Sequence, residues 1–460
     1  MINKGTNVCF LIPPPNGKFI IRDYAGGMGF EATYEKEMSY LLPPLDFLQL
    51  AACIRDEFNV HIIDAHAEQL ELIDLIEKIK TIDCKLVIIE LSIPTLNFDL
   101  ECAKQLQILG IEVIGKIQSQ EKDVLDKVFR PGYIKLCLIA EVEDNLINIL
   151  FGTDKAGTAF IENETLIINN KKPIDNLDLL PFPARELTVR NTYFYPKLGE
   201  CTTIITSRGC PFSCSYYCPY PLTQGKRWRA KSVNYVLSEI SQSVNLGYRK
   251  FLFRDPIFSL QEDHVIGIAR GIIDLDEEIT WWCETRADRI TEKMVKLMSQ
   301  SGCRGINIGV ESGDDKLRFS HLKKGVSDAV LMNLSSWCKK YGVHLAFLLM
   351  VGFPGEDRNS ILSTAKLICK CRPGSIGIGF PVNHPGTDLD KDAKKNNWII
   401  EDDYTLTDGS IPVLAGPTLG AAEMIIAKQL LINLFNTIQG GRSDKELAAM
   451  NLIEEWCLAN

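Results

Sequence analysis

Short β-branched runs alternate with amphipathic stretches through the first third of the chain. Residues 8–12, 60–64, 86–91, 112–115 and 134–139 read as strands, with 45–58 and 96–109 as helices between them. Strand, crossover, strand in this rhythm predicts a parallel sheet with helices on both faces. Such sheets take ligands outside the carboxyl ends of their strands. Residues 159–161 and 165–168, joined across Asn163-Glu164, predict a small hairpin, and Pro173 to Pro183 reads as a proline-bracketed linker. The rhythm then restarts. Strands are expected at 203–206, 251–254, 280–283, 305–310, 344–351 and 375–380, and helices at 233–244, 291–301 and 327–341. Gly302, Gly342 and Gly374 fall near the ends of elements, where left-handed caps are common. Six βα units predict a partial or complete parallel barrel, whose active site is built from the loops after the strands. Residues 421–436 have apolar positions at helical spacing and are expected to pack over the barrel.

Composition narrows the class. The chain has 460 residues, 46% hydrophobic and 24% charged, which is globular composition sized for two or three domains. The net charge of −9 argues against broad nucleic-acid binding, which needs clustered Lys and Arg. No stretch reaches about 18 uninterrupted apolar residues, so no membrane span is expected. The apolar run at the amino end stops at Pro13-Pro14-Pro15, too short for a secretory core. The expectation is a soluble cytoplasmic protein, in which most of the fifteen cysteines are buried small hydrophobes rather than disulfides.

One subset of the cysteines is spaced differently. Cys210, Cys214 and Cys218 fall within nine residues, directly after the first strand of the second half. Soft thiolates this close favour zinc or an iron–sulfur cluster. A zinc site wants a fourth ligand. No His or Cys follows Cys218 within the next forty residues, although the distant Cys201 or Cys283 remains open as a ligand. Three ligands on an iron–sulfur cluster instead leave one iron open to a substrate or cofactor.

The loop Ser207-Arg-Gly-Cys210-Pro-Phe-Ser-Cys214 resembles the cluster loop of the radical S-adenosylmethionine (SAM) enzymes. Further similar pieces follow in order: Arg227-Trp-Arg-Ala-Lys-Ser, Phe251-Leu-Phe-Arg-Asp-Pro, Ile308-Gly-Val-Glu-Ser-Gly with Lys323-Lys-Gly, the run from Phe347 to Glu356, and Pro385-Gly-Thr-Asp-Leu. In the first half, Pro13-Pro-Pro, the run from Leu42 to Ala52 and Val60-His-Ile-Ile-Asp-Ala-His-Ala-Glu are similar to the cobalamin-binding domain fused ahead of the barrel in one branch of that superfamily. The chain is thus identified as resembling a cobalamin-dependent radical SAM enzyme. The fold this implies is α/β: a Rossmann-like doubly wound cobalamin-binding domain (1–152), a hairpin and linker (153–198), a partial (β/α)6 TIM-like radical SAM barrel (199–400) and a short C-terminal helical region (401–460).

The resemblance also implies roles. Cys210, Cys214 and Cys218 would hold a 4Fe–4S cluster whose open iron chelates SAM, and one electron would release a 5′-deoxyadenosyl radical. An electron donor of the flavodoxin or ferredoxin type is then required. Tyr217 would pack on the adenine or fill the barrel mouth. Asp255 would meet the SAM amino group, or cap the turn before Pro256. Arg286 would clamp the SAM carboxylate, or pair with Asp288 or Glu284. Glu311 and Ser312 would bind ribose or carboxylate, or satisfy loop backbone. Gly352 would let backbone approach the adenine, or simply turn the chain. In the first domain Pro14, Asp64, Ser92, Thr95, Gly115 and Glu141 are the candidates to line cobalamin. His66 is not read as a cobalt ligand, because its motif follows the second strand and ends in Gln69.

The sequence departs from the family pattern in three places. Ser215-Tyr216-Tyr217 makes the second cysteine gap three residues where two is usual, Gly115-Lys-Ile-Gln replaces a frequent Gly-Gly-Pro-His, and Ala140-Glu-Val-Glu lacks the usual glycine. The function implied is methylation of an unactivated carbon in a small-molecule intermediate. A radical cyclisation, rearrangement or oxidation without methyl transfer is the alternative, and a non-catalytic iron–sulfur or cobalamin sensor is the alternative of another class.

Overall fold

The computed structural model describes residues 3–15, 41–190, 192–322, 324–401, 409–441 and 443–459. Lys323 of the quoted Lys-Lys-Gly motif and part of the C-terminal region lie outside the described residues. By its contacts the chain divides into two units, one of residues 1–209 and 220–250, the other of residues 210–219 and 251–460.

The first unit contains β1 (Asn7–Ile12), α1 (Leu45–Ile54), β2 (Asn59–Asp64), α2 (Leu72–Ile82), β3 (Leu86–Glu90), α3 (Leu96–Ile108), β4 (Glu112–Lys116), α4 (Lys122–Phe129), β5 (Leu136–Leu138), α5 (Leu146–Leu150), β6 (Thr158–Glu162) and β7 (Thr165–Ile168). They form a seven-stranded sheet in the order β2-β1-β3-β4-β5-β6-β7. The first five strands pair in parallel, and β1, at the reversal of strand order, pairs with both β2 and β3.

The alternation of side chains along a strand explains why both faces are covered. On β1, Cys9 and Leu11 join one core with α2 and α3, while Val8, Phe10 and Ile12 join the other with α1 and α5. Strand β3 repeats the division, sending Val87 and Ile89 one way and Leu86 and Ile88 the other. The hairpin expected in the linker segment is instead part of this sheet, since β6 pairs antiparallel with β5 through Leu136↔Phe160 and Cys137↔Ala159. Buried Ala159 packs into the same core as Cys137, which gives the hairpin an apolar reason to dock. Short pairs follow, β8 (Phe194–Tyr195) with β9 (Gly199–Glu200), then β10 (Thr202–Ile204), and β11 (Ser207–Arg208) with β12 (Arg229–Ala230) flanking α6 (Tyr220–Thr223). Helix α7 (Val233–Asn245) closes the unit, capped by the Ser232 hydroxyl accepting from Tyr235 N–H.

The second unit continues the strand and helix rhythm. It contains β13 (Lys250–Phe253), α8 (Glu262–Asp274), β14 (Thr280–Thr285), α9 (Glu292–Gln300), β15 (Cys303–Glu311), α10 (Asp328–Tyr341), β16 (His344–Met350), α11 (Arg358–Cys371), β17 (Ser375–Gly379), α12 (Asp388–Asn396), α13 (Ala421–Gln439) and α14 (Ser443–Leu458). Strands β14 to β17 pair in parallel, each with the next in sequence. This is partial-barrel order, and it leaves the carboxyl ends of the strands on one rim. Helix ends follow local chemistry. Gly342 ends α10 in the left-handed conformation, and Asp357 and Ser360 form a reciprocal cap on α11.

Candidate active site

The cysteine loop, residues 210–219, belongs to the second unit. Cys210 and Cys214 are buried and Cys218 is partly buried. A short 3-10 turn, Ser213–Tyr216, carries Cys214, and the Cys218 N–H donates to its carbonyl. The three thiols therefore sit on one short loop around that turn. Among the described residues no three His, Cys, Asp or Glu side chains are already arranged around a metal position, so the thiols are gathered on a loop rather than converged on a point. Burial pushes the Cys210 thiol up to about 11, with the neighbouring Cys214 adding to this and Arg286 and Lys324 opposing it.

Arg286 is a cation beside this loop. It follows β14, is buried, and places Nη1 3.9 Å from the Cys214 sulfur. Its guanidinium lies over the Phe212 ring, 4.0 Å from the centroid. Its remaining donors are committed to protein. Nε and Nη2 reach Asp288 at 2.9 and 3.1 Å, and Nη2 also donates to the Lys324 carbonyl. Burial works against the charge, but Asp288 outweighs it and holds the guanidinium pKa above its ordinary value. Of the two roles expected for Arg286, the structure displays the pairing with Asp288. The pair is part-buried, with Arg286 itself buried beside the thiol.

Strand β15 ends in an irregularity. Its register against β16 shifts between Gly309 and Glu311, and Glu311 has φ +66°, a conformation usual for glycine. The distortion aims the Glu311 carboxylate at the cysteine loop. Its Oε1 accepts from the Tyr217 hydroxyl at 2.9 Å and pairs with the Lys324 ammonium, which also lies 3.5 Å from the Tyr217 oxygen. Gly309 makes room for this pair, because a Cβ there would stand 2.5 Å from both the Glu311 carboxylate and Lys324 Nζ. Tyr217 packs edge-on against Phe353, with centroids 5.1 Å apart, and joins an apolar cluster with Leu317, Leu322 and Val382. Burial, and then Glu311, drive its hydroxyl pKa well above the ordinary value.

The other strand ends complete the rim. Asp255 is buried just beyond β13. Ser312 donates to Glu356 at 3.2 Å, and the Asp314 N–H donates to Ser312 Oγ at 3.2 Å. Gly352 has φ +105°, and a Cβ there would stand 2.4 Å from the Met424 sulfur of α13. Glycine at 352 thus accommodates the C-terminal helix as well as the turn.

Residues 204–368 match the family model of the radical SAM superfamily. Over that stretch the chain is similar to the radical SAM superfamily. Among its relatives is an uncharacterized methyltransferase of Pyrococcus horikoshii, 28% identical over 372 residues, covering 78% of this chain and 80% of that one. Two solved structures share the fold. The radical SAM methyltransferase TsrM of Kitasatospora setae, with tryptophan and a SAM analogue bound, superposes with a TM-score of 0.68 at 17% identity, over 86% of this chain and 77% of that one. The cobalamin-dependent SAM radical enzyme OxsB, with aqua-cobalamin and SAM bound, gives 0.69 at 14% identity, over 95% of this chain and 68% of that one. At these identities the likeness is one of fold.

At the strand ends of the first unit, the candidates for cobalamin divide into two groups. Pro14, Ser92 and Thr95 are buried beyond β1 and β3, and the Ser92 N–H and Thr95 hydroxyl both donate to Asp99 at 2.9 Å. Asp64 is engaged at both oxygens, by Ala67 N–H at 2.9 Å and the Tyr193 hydroxyl at 3.0 Å. Gly115 serves packing, because a Cβ there would stand 2.8 Å from Leu91 Cδ1 and 3.1 Å from the Cys137 sulfur. Glu141 is the centre of an ion-pair network. Arg229 grips its oxygens at 2.6 and 2.8 Å, Arg208 lies 3.4 Å away, and Ile174 N–H donates at 3.0 Å. Burial alone would raise the Glu141 pKa, but the two arginines outweigh it and hold it below the carboxylate range.

Sequence reasoning gave no role to Lys324, Phe212 or Glu356. All three lie in or beside the quoted motifs, so proximity to a motif was the available signal. Their partners are separated from them in sequence and were not legible.

Proposed function

We propose that the protein is a cobalamin-dependent radical SAM methyltransferase acting on a carbon of a small-molecule substrate. The observation that carries this reading is a cluster-type cysteine loop in a radical SAM domain that follows a Rossmann-like unit in one chain. The relative named as a methyltransferase and the fold shared with TsrM and OxsB support it. In this reading Cys210, Cys214 and Cys218 hold the 4Fe–4S cluster. The donor set fits that group, since three soft thiols lie on one nine-residue loop and Arg286 stands beside Cys214.

When bound, the cluster supplies the electron that cleaves the SAM sulfonium, and cobalamin supplies a methyl carrier. The chain's own part is to bind, orient and exclude water. Tyr217, Phe353 and their apolar neighbours form a dry wall behind the cysteine turn. Glu311, paired with Lys324, presents a fixed carboxylate to the ribose side, and Asp255 and Ser312 offer further polar groups on the rim. Ser92 and Thr95 are the strand-end hydroxyls of the first unit assigned to the corrin side.

Fifteen free cysteines suit a reducing compartment, and we assign the protein to the cytoplasm, with a flavodoxin- or ferredoxin-like electron donor. No described helix is long and apolar enough to cross a membrane. The net charge of −9 supports a small substrate rather than nucleic acid.

The test is product analysis. Anaerobically reconstituted protein is incubated with SAM, reductant, cobalamin and a panel of small-molecule substrates. The expected result is 5′-deoxyadenosine together with S-adenosylhomocysteine or homocysteine and a methylated product. Deoxyadenosine with an altered but unmethylated substrate would contradict methyl transfer and favour the rearrangement reading.

A further inference from the structure

Glu356 joins two strand ends through one carboxylate. It is fully buried, in the loop after β16. Oε2 accepts the Gly352 N–H at 2.6 Å, and Oε1 accepts the Ser312 hydroxyl at 3.2 Å. The Glu356 main chain is tied as well, with its N–H donating to the Phe353 carbonyl at 2.9 Å and its carbonyl accepting from the Thr418 hydroxyl. Ser312 directly follows β15 and Gly352 follows β16 after one residue, so a single side chain spans neighbouring strands of the rim.

The surroundings offer this carboxylate little else. Asp314 is the neighbouring ionisable group, and its own oxygens accept from Leu317 N–H and the Ser360 hydroxyl. Asp357 caps α11, and Arg358 pairs with Glu423. Among the described residues no cation pairs with Glu356. A carboxyl buried without a cation is costly and contributes nothing to the apolar core. What it provides here is a fixed distance between two loops.

We propose that Glu356 is a positioning residue, which holds the loops at Ser312 and Gly352 in register so that both meet the SAM nucleoside together. The inference rests on the radical SAM reading given above. Glu356→Met keeps the side-chain volume and removes both acceptors. Glu356→Gln keeps an acceptor for the Gly352 N–H, and its amide nitrogen donates to Ser312.

The assay is reductive cleavage of SAM to 5′-deoxyadenosine by the reconstituted full chain, resolved into kcat and KM. Glu356→Met is expected to raise KM for SAM about tenfold, the loss of roughly one buried hydrogen bond, with kcat changed less than about threefold. Glu356→Gln is expected to restore KM to within about threefold of the wild type. An unchanged KM in folded Glu356→Met, or kcat falling with KM constant, overturns the proposal. If Glu356→Met does not fold, amide exchange in the wild type decides. Gly352 and the amides flanking Ser312 are expected to slow together when SAM is added, and slowing at only one of the loops overturns it. A wild-type protein that does not cleave SAM contradicts the functional reading itself. Cleavage with a variant-independent KM contradicts only the positioning role.

Discussion

Glu356 also makes the stability of the second unit depend on pH in a direction opposite to most carboxylates. Burial raises its pKa from the ordinary 4.5 to about 7, with hydrogen bonds from Gly352, Ser312 and Phe353 pulling down and Asp314 pushing up. In the unfolded chain the group loses its proton near 4.5, whereas in the fold it keeps it to about 7. Between those values the folded state binds more protons, so stability falls as pH rises. The contribution is fully present below pH 4.5 and lost by the time pH passes about 7. A shift of this size corresponds to about 3 kcal/mol across the window. At about 2–4 °C per kcal/mol for a unit of this size, the thermal midpoint changes by roughly 6–12 °C. The assay is calorimetry of the apoprotein at several pH values from 5 to 8, for the wild type and Glu356→Gln. The variant cannot titrate, so its curve is expected to lose that fall while other groups act equally on both. Parallel curves would refute the reasoning.

Three further outcomes follow from the geometry. Cys214→Ala is expected to abolish both the visible absorbance of the reconstituted cluster and SAM cleavage, and cleavage that survives the change contradicts the ligand assignment. Arg229→Met leaves the buried Glu141 without its bidentate partner and is expected to cost about 3–5 kcal/mol in denaturant unfolding. The Arg229→Met/Glu141→Met double variant is expected to lose less than the single one, and a strictly additive result contradicts a buried pair. Gly352→Ala is expected to cost about 1–3 kcal/mol through its positive φ. Shortening the facing side chain with Met424→Ala is expected to recover only part of that loss. Full recovery would show that crowding rather than backbone conformation is limiting.

The sequence exposed whatever is local. Strands β1 and β3 alternate two buried faces in β-branched runs, so their period is visible without a partner. The cysteine loop was legible because its three thiols lie within nine residues. Long-range commitments were not. Glu141 stands at a strand end, where ligand-binding residues are expected. Its carboxylate is instead taken up by Arg229 and Arg208, and only the folded chain shows it. Arg286 has two readings in the sequence, and only the fold shows that its guanidinium reaches Asp288 while lying over Phe212 and beside Cys214. The sequence predicts the hairpin after β5 but not the sheet it joins, because its docking depends on Ala159 meeting the core, a contact that periodicity does not reveal. Lys324 sits in a quoted motif, yet its meaning comes from Glu311 in a left-handed conformation, and residue type alone gives no sign of that for glutamate.

The account's central claim is that one chain carries both a three-cysteine cluster and cobalamin. The most direct measurement is the ultraviolet–visible spectrum of protein reconstituted anaerobically with iron and sulfide, with and without cobalamin, after gel filtration. The predicted result is thiolate-to-iron absorbance in both samples, with corrin bands co-eluting in near-stoichiometric amount in the second. Absence of the cluster absorbance, or cobalamin that separates entirely from the protein, would contradict it.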